Sequence, residues 1–207
     1  MQPSQMPDSA EATAVPHLAQ DEMILIMGGP GSGKGTTGRE LARILDAEVR
    51  STGQLMRQNH DPELTSVMDR GDLVPEEDLE RILGAAIPAL KGRPLILDGA
   101  TKKPREAEWL LVRLKHFGRR LPVVLYLEVD EALARERILS GDRGRGDDVP
   151  EYQEHRWHEF RTSTTRSLEV YRQAGLLETI QGDAPLERIV EEMLGALARR
   201  QAARDAL

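Results

Sequence analysis

The sequence predicts a three-layer α/β fold, in which helices cover both faces of a central parallel sheet. Short apolar runs that suit buried strands alternate with longer segments whose apolar residues recur three and four positions apart. A glycine-rich turn at residues 28–35 joins the first strand to the first helix. The 207 residues suffice for one domain with small insertions. Because strands and helices alternate, each helix returns the chain to the same end of the sheet, and the strands run parallel.

The first strand is predicted at the apolar run 23–27, and the helix after it begins inside the glycine turn. Leu41, Ile44 and Leu45 give that helix one apolar face. A second long helix opens near Pro75, and the acidic residues 76–78 match the positive end of its dipole. Its apolar positions are Leu79, Ile82, Leu83, Ala86, Ile87 and Leu90.

Two further pairs of strand and helix follow. Residues 94–99, PLILDG, predict a short buried strand that ends on Asp98. The helix after this strand has apolar residues at Ala107, Leu110, Leu111 and Leu114. The apolar run 122–129 predicts another strand, and we expect Asp130 to cap the next helix.

The last third of the chain begins with an irregular stretch at 141–148, which is rich in glycine, arginine and aspartate. A helix is predicted over about 151–173 and a strand over 176–180. The closing helix has apolar residues at Leu186, Ile189, Val190, Met193, Leu194 and Leu197. At the other end, prolines punctuate a polar segment, and we expect residues 1–20 to be a disordered tail before a single domain over 21–207.

The composition argues against several classes of protein. A net charge of −7, from 28 basic and 35 acidic residues, does not suit a general nucleic-acid or acidic-membrane surface. The sequence has no cysteine, which excludes disulfides and cysteine-ligated zinc and suits a reducing cytoplasm. No apolar stretch approaches membrane-spanning length. We therefore expect a cytoplasmic monomer whose partners are small molecules, with no nucleic acid and no membrane among them.

Residues 28–36 read GGPGSGKGT and have the chemistry of a phosphate-binding loop. Glycines let the backbone wrap around phosphates, the following helix presents its positive end, and Lys34 adds a mobile cation. In the strict motif a hydroxyl follows the lysine directly, whereas here Gly35 intervenes before Thr36. A flexible turn with an accidental lysine is the alternative. The predicted ATP-binding residues are Gly29, Pro30, Gly31, Ser32, Gly33, Lys34, Gly35 and Thr36.

This variant resembles the phosphate loop of nucleoside monophosphate kinases, above all the adenylate kinases. Two later segments extend the resemblance: residues 51–57, STGQLMR, are similar to Ser-Thr-Gly-Asp-x-Leu-Arg, and residues 71–75, GDLVP, are similar to Gly-x-Leu-Val-Pro. The resemblance implies an AMP site formed by Thr52, Gly53, Arg57 and Val74. By local sequence alone, Ser51 and Gln54 form a capping box, and Arg57 is a solvated helix residue.

Residues 97–102, LDGATK, are similar to the family's Leu-Asp-Gly-Phe-Pro-Arg. The resemblance implies that Asp98 reaches Mg²⁺ through water, with Thr36 as a further metal-site residue. A cap of the next turn is the alternative for Asp98. Lys102 keeps the charge of the family's arginine but not its two-pronged geometry, and Arg105 is a candidate to compensate. The residues implied for the acceptor site in this segment are Gly99 and Lys102.

Glu106 stands where adenylate kinases usually carry a glutamine that reads the adenine edge. A glutamine donates one hydrogen bond and accepts another, as adenine requires, whereas an ionised glutamate only accepts. Two acceptors suit guanine better, although Thr52 is the adenine-type residue in this family. A helix residue that points to solvent is the remaining interpretation of Glu106.

Residues 141–151 resemble the short lid of compact adenylate kinases, and GRGDD at 144–148 matches the lid's Gly-Arg-x-Asp-Asp. A charge-balanced surface loop is the alternative. By the same resemblance, residues 51–80 form the insertion that binds the monophosphate. His155 and His158 are expected to be surface residues rather than metal ligands. The arginines implied to stabilise the transferring group are Arg143, Arg145 and Arg156.

The resemblance as a whole implies a P-loop fold and a magnesium-dependent kinase that converts ATP and AMP to two ADP. Catalysis is then positional and electrostatic. The implied catalytic residues are Lys34, Lys102, Arg143, Arg145 and Arg156. Two alternatives remain open: a kinase for GMP or another small molecule, and a module that binds ATP without transferring phosphate.

Overall fold

The structure is a computed structural model that describes residues 15–140 and 150–206. Its strands are β1 (Met23–Gly28), β2 (Glu48–Ser51), β3 (Leu95–Asp98), β4 (Val124–Glu128) and β5 (Leu177–Gln181). Its helices are α1 (Lys34–Leu45), α2 (Thr52–Arg57), α3 (Pro62–Asp69), α4 (Glu76–Ala89), α5 (Pro104–Arg113), α6 (Glu131–Ser140), α7 (Pro150–Glu159), α8 (Thr165–Gln173) and α9 (Leu186–Asp205). A π-helical turn, Phe160–Thr164, joins α7 to α8.

The strands form one parallel sheet in the order β2-β3-β1-β4-β5, which confirms the predicted fold class. β1 lies in the middle, with Ile24 opposite Ile96 of β3 and Leu25 opposite Val124 of β4. The chain leaves β1 towards one edge of the sheet and later crosses to the other edge. The connections therefore diverge at the carboxyl end of β1, which is where open α/β sheets bind ligands.

The core lies on both faces of the sheet, because successive side chains of a strand point in opposite directions. Met23 and Leu25 of β1 belong to a buried cluster that includes residues of α4, α5 and α8. Ile24 and Ile26 belong to a second cluster, with residues of α1 and α9. These four side chains are fully buried, so β1 is the apolar strand that the sequence predicts.

Two elements differ from the expectation. The edge strand β2 was missed, because its residues Glu48–Ser51 are only partly buried and form no apolar run. The helix predicted over 151–173 is interrupted by the π-helical turn. The hydroxyls of Thr162 and Thr165 donate to the carbonyls of His158 and Arg161, at 2.8 and 2.7 Å. Such bonds compete with the regular helix ladder and favour a local distortion.

The predicted tail also differs at its end. Residues 15–20 pack against the domain: Leu18 is only 3% exposed and belongs to the cluster that includes residues of α1 and α9. The His17 carbonyl accepts a hydrogen bond from Gln201 of α9. Residues 1–14 lie outside the described part of the chain. Among the described helices, none combines the length and apolar character needed to cross a membrane.

Candidate active site

One cavity opens at the carboxyl ends of β1 and β3, where the sheet topology places a ligand site. The phosphate loop forms one part of its wall, and residues of α2, α3, α4, α5, α7, the π-helical turn, the loop before α4 and the loop after β3 form most of the rest. The predicted site residues that line it are Lys34, Pro30, Thr52, Gly53, Arg57, Val74, Asp98, Gly99, Lys102, Glu106 and Arg156. The fold therefore brings residues from six separate segments to one place.

Lys34 makes hydrogen bonds back to its own phosphate loop. The Nζ of Lys34 donates to the carbonyl of Gly29 at 2.7 Å and to the hydroxyl of Ser32 at 3.2 Å. Gly33 caps α1 with a left-handed backbone, φ 91°, which glycine adopts without strain. The first N–H groups of α1 therefore lie at the loop, where a helix end attracts phosphate.

Two glycines of this loop are required by close neighbours. A side chain at Gly31 would overlap the carbonyl oxygen of Ala134 in α6, and its φ of 75° disfavours other residues. A Cβ at Gly29 would lie 2.8 Å from Cη2 of Trp157 in α7. Because α6 and α7 both pack on the loop, its shape depends on parts of the chain more than 100 positions away.

The carboxylate of Asp98, a predicted metal-site residue, lies beside the phosphate loop. The Cβ position of Gly35, the residue before Thr36, is 3.4 Å from Oδ2 of Asp98. A carboxylate beside a hydroxyl and a phosphate loop is the oxygen donor set that Mg²⁺ takes. Sequence reasoning missed Arg39, whose guanidinium donates to the Thr36 hydroxyl at 3.3 Å. Its position three residues after Thr36 on a helix was the available signal.

At the predicted acceptor site, Thr52 is 3% exposed, and its Oγ1 has no hydrogen-bond partner among the described residues. The Cβ position of Gly53 is 3.4 Å from a guanidinium nitrogen of Arg57, so glycine leaves room for the arginine head. Ser51 makes no side-chain capping bond, so the capping-box alternative for Ser51 and Gln54 is not supported. Both Thr52 and Arg57 line the cavity.

Glu106 carries a buried carboxyl group whose pKa departs from its usual range. It is 3% exposed, so the interpretation as a solvent-facing residue is wrong. Its Oε2 accepts from the backbone N–H groups of Lys102 at 2.7 Å and Lys103 at 3.1 Å. Burial raises the pKa of the Glu106 carboxyl above its usual range, although these two bonds and the charges of Lys103 and Lys102 act the other way.

Lys102 and Lys103 are consecutive residues in the loop between β3 and α5. Lys102 lines the cavity, as predicted. Lys103, which sequence reasoning missed, donates from Nζ to the carbonyl of Val74 at 3.3 Å. Arg105 was expected to assist Lys102, but it is 82% exposed, lies 3.6 Å from Glu76 and is absent from the cavity wall. Lys102 therefore has no help from Arg105 in this structure.

α7 approaches the acceptor side of the cavity. The Cβ position of Gly71 is 2.8 Å from Cγ of Arg156 and 3.2 Å from the carbonyl of Tyr152. His155 Nε2 lies 2.9 Å from Oδ1 of Asp72, in the same loop before α4. Among the described residues, no group of three or more candidate ligands forms a metal site with these histidines. Arg143 and Arg145, with most of the predicted lid 141–151, lie outside the described residues.

Three buried hydroxyls support the loop after β3, and sequence reasoning missed them. The hydroxyl of Thr101 is 2.8 Å from that of Tyr171 and 3.3 Å from that of Ser167. Both partners belong to α8, 66 and 70 positions away. Helix α8 therefore holds the loop that carries Lys102 in place.

Comparison with known proteins agrees with this arrangement. The sequence model of the adenylate kinase family matches residues 26–176. An adenylate kinase of Synechococcus sp. (strain CC9311) is 34% identical over 183 residues, which cover 86% of this chain and 99% of the relative. Those of Thermobifida fusca (strain YX) and Clavibacter michiganensis subsp. michiganensis (strain NCPPB 382) are 33% and 31% identical over 186 residues. Each covers 86% of this chain, and the match spans 98% and 93% of the relative.

Proposed function

The chain belongs to the adenylate kinase family, and on this premise we propose that the cavity at the carboxyl ends of β1 and β3 holds ATP and AMP side by side for phosphoryl transfer. The enzyme is a nucleoside monophosphate kinase, which moves the γ-phosphoryl group of ATP to AMP and forms two ADP. The observation that carries the proposal is the shared wall of that cavity. Lys34 of the phosphate loop and Arg57 of the acceptor side line the same space.

The chemistry asks the protein to align two anions and to neutralise charge, since the phosphoryl group moves by in-line displacement. An oxygen of the AMP phosphate forms a bond to the γ-phosphorus, and the bond from that phosphorus to the β–γ bridging oxygen breaks. We assign the donor phosphates to Lys34 and the loop amides, and the acceptor phosphate to Arg57 and Lys102. Arg156 lines the same cavity and is assigned to the transferring group.

The remaining roles follow the same division. The donor phosphates are assigned to the loop residues Gly29, Pro30, Gly31, Ser32, Gly33, Lys34, Gly35 and Thr36. The acceptor nucleoside is assigned to Thr52, Gly53, Val74, Gly99 and Glu106. Arg143 and Arg145 remain predicted lid arginines. The monomeric state and the cytoplasmic location also remain predictions.

We assign Mg²⁺ to the oxygens of Asp98, through water, and of Thr36. When bound there, the ion would neutralise negative charge on the donor phosphates. Asp98 ends β3 in register with Ser51 of β2 and Ile26 of β1, so its carboxylate is held by the sheet. Thr36 lies in the first turn of α1, directly after Gly35.

The test is diphosphate formation from Mg-ATP with AMP, GMP, CMP, UMP and dAMP offered separately. We expect rapid turnover with AMP and little with GMP, CMP or UMP. Lys34→Ala should lower kcat/KM by roughly 10²–10³-fold, because it removes a donor to the phosphates, and should leave the fold intact. Lys115→Ala, at an exposed position far along the chain, is the matched control.

Each other outcome has a defined meaning. Near wild-type rates in Lys34→Ala would contradict the assignment of the phosphate loop. A preference for GMP would identify a different base specificity, and ATP binding without turnover of any acceptor would identify a sensing module.

A further inference from the structure

Glu106 is a buried carboxyl group on the wall of the cavity, and phosphoryl transfer itself has no use for it. It lies at the start of α5, beside Lys102 and in the same cavity as Thr52 and Val74. These neighbours are the residues assigned to the acceptor nucleoside. Glu106 is therefore placed to meet the base of AMP, and its protonation state decides what it offers to that base.

The two carboxyl oxygens of Glu106 differ in their hydrogen bonds. Both backbone N–H groups, of Lys102 and Lys103, donate to Oε2. Among the described residues none donates a hydrogen bond to Oε1, and the Glu106 residue lines the cavity. A neutral carboxylic acid keeps both N–H bonds on its carbonyl oxygen, Oε2, and carries the proton on Oε1. The geometry therefore accepts a proton without the loss of either bond.

The chemistry of adenine sets the requirement. Its ring nitrogen N1 is an acceptor, which an ionised carboxylate repels and a carboxylic acid satisfies. We propose that Glu106 selects adenine as a neutral acid, by donating a hydrogen bond from Oε1 to N1 of AMP. This inference rests on the proposed function and deepens it. A proton then enters with AMP whenever the carboxyl of the free enzyme is ionised.

The charges around Glu106 act in both directions. Burial favours the neutral acid, and the two backbone bonds and the lysines Lys103 and Lys102 favour the anion. Tyr171 of α8 lies close enough that the negative charge of Glu106 contributes to its raised pKa, after the larger effect of burial. The other charged groups that line the cavity are Lys34 of α1, Arg57 of α2, Asp72 of the loop before α4, Asp98 at the end of β3, and Arg156 and Glu159 of α7. AMP would cover Oε1 and exclude water from it, which favours the neutral form further.

The sign of the pH dependence follows directly. Below the pKa of Glu106 in the free enzyme the acid is already present, and AMP binds without proton uptake. Above that pKa, each pH unit reduces the neutral fraction tenfold, so the KM for AMP rises about tenfold per unit. Glu106→Gln keeps an acceptor for the two backbone N–H groups and a permanent donor for N1, and its KM should not follow this titration.

The experiment measures the KM for AMP between pH 5.5 and 8.5 for the wild-type enzyme and Glu106→Gln. The ratio of the two values removes the titration of the nucleotide phosphates, which both proteins share. We expect this ratio to rise with pH, with less change in kcat. Glu108→Gln removes an exposed carboxylate two positions later on α5 and should follow the wild type. A ratio that stays constant over this range, in an enzyme whose Glu106 is ionised without AMP, overturns the inference.

A second measurement needs no variant. The infrared difference spectrum between the wild-type enzyme with and without AMP at pH 8 should contain a new band of a protonated carboxyl group. No protonated-carboxyl band either with or without AMP, together with a constant KM ratio, leaves Glu106 as a helix cap only. ADP formation from AMP in either case shows that the kinase assignment stands while the inference fails, whereas no ADP at any pH shows that the kinase assignment fails.

Discussion

At the scale of the residue, Arg156 is the cation that we assign to the transferring phosphoryl group. Its stem packs against Gly71 and its head lines the cavity. We expect Arg156→Ala to lower kcat by about 10²-fold, because charge on the transferring group loses a donor, with smaller changes in the KM for ATP and AMP. Steady-state kinetics check this, with Arg166→Ala, an exposed arginine of α8, as control. A large rise in KM at constant kcat would assign Arg156 to ground-state binding instead.

Gly29 is a second residue whose role depends on a single contact. The methyl group of Gly29→Ala would lie 2.8 Å from Cη2 of Trp157, a buried side chain that must then move. We expect a loss of about 1–3 kcal/mol in the free energy of unfolding, together with weaker ATP binding. Gly84→Ala in α4 is the matched control, since its methyl meets nothing within 4 Å and helix propensity favours alanine. Urea denaturation compares the two, and equal effects would contradict the contact.

At the scale of the elements, three hydroxyls tie α8 to the loop after β3. Tyr171→Phe removes the 2.8 Å hydrogen bond to Thr101 and keeps the ring in the core. We expect a loss of about 1–2 kcal/mol in the free energy of unfolding, because a buried hydrogen bond is removed and Thr101 keeps only Ser167. Tyr126→Phe on β4 is the control. An unchanged urea midpoint at pH 7 would show that this bond adds nothing to stability.

The same tyrosine gives the stability a pH dependence with a defined sign. Burial raises the pKa of Tyr171, so the folded state favours the neutral phenol. Its contribution is fully present below the ordinary tyrosine pKa of about 10 and declines by about 1.4 kcal/mol per pH unit above it. Tyr171→Phe should therefore lose less stability than the wild type between pH 10 and 11. Parallel losses in urea titrations would contradict this account.

At the scale of the whole molecule, the sheet is covered on one side by α1, α9 and the segment before β1. Leu18 contributes to that core and is 3% exposed, whereas Val15 is 58% exposed. We expect Leu18→Ala to reduce the free energy of unfolding by about 2–4 kcal/mol through lost burial and a cavity, and Val15→Ala to have little effect. Differential scanning calorimetry of both variants tests this. Equal Tm values would mean that residues 15–20 do not belong to the folded domain.

Asp21 and Glu22, directly before β1, form a cluster of ion pairs. Glu22 is 1% exposed, accepts from the backbone N–H of Ala19 and pairs with Arg120 and with Arg204 of α9. Asp21 pairs with Arg120 at 2.6 Å, which lowers the pKa of the aspartate. The two ends of the described chain are therefore joined at one edge of the domain.

Much of the fold was predictable because it depends on local pattern. The apolar run of β1, the capping of α6 by Asp130 and the alternation of elements are all properties of neighbouring residues. β2 was missed because an edge strand packs on few neighbours and needs no apolar run. The π-helical turn was missed because its threonine bonds compete with the helix in a way that periodicity does not register.

The sequence by itself determined the order of the elements and the chemistry of the phosphate loop, since residues 28–36 carry their backbone requirements with them. Only the tertiary structure decided which distant groups meet. It placed Trp157 on Gly29, Lys103 on the Val74 carbonyl, and Tyr171 on Thr101. It also buried Glu106 and bound one of its oxygens, Oε2, to two backbone N–H groups. Burial and close approach are sums over neighbours that lie far apart along the chain, and local pattern does not contain them.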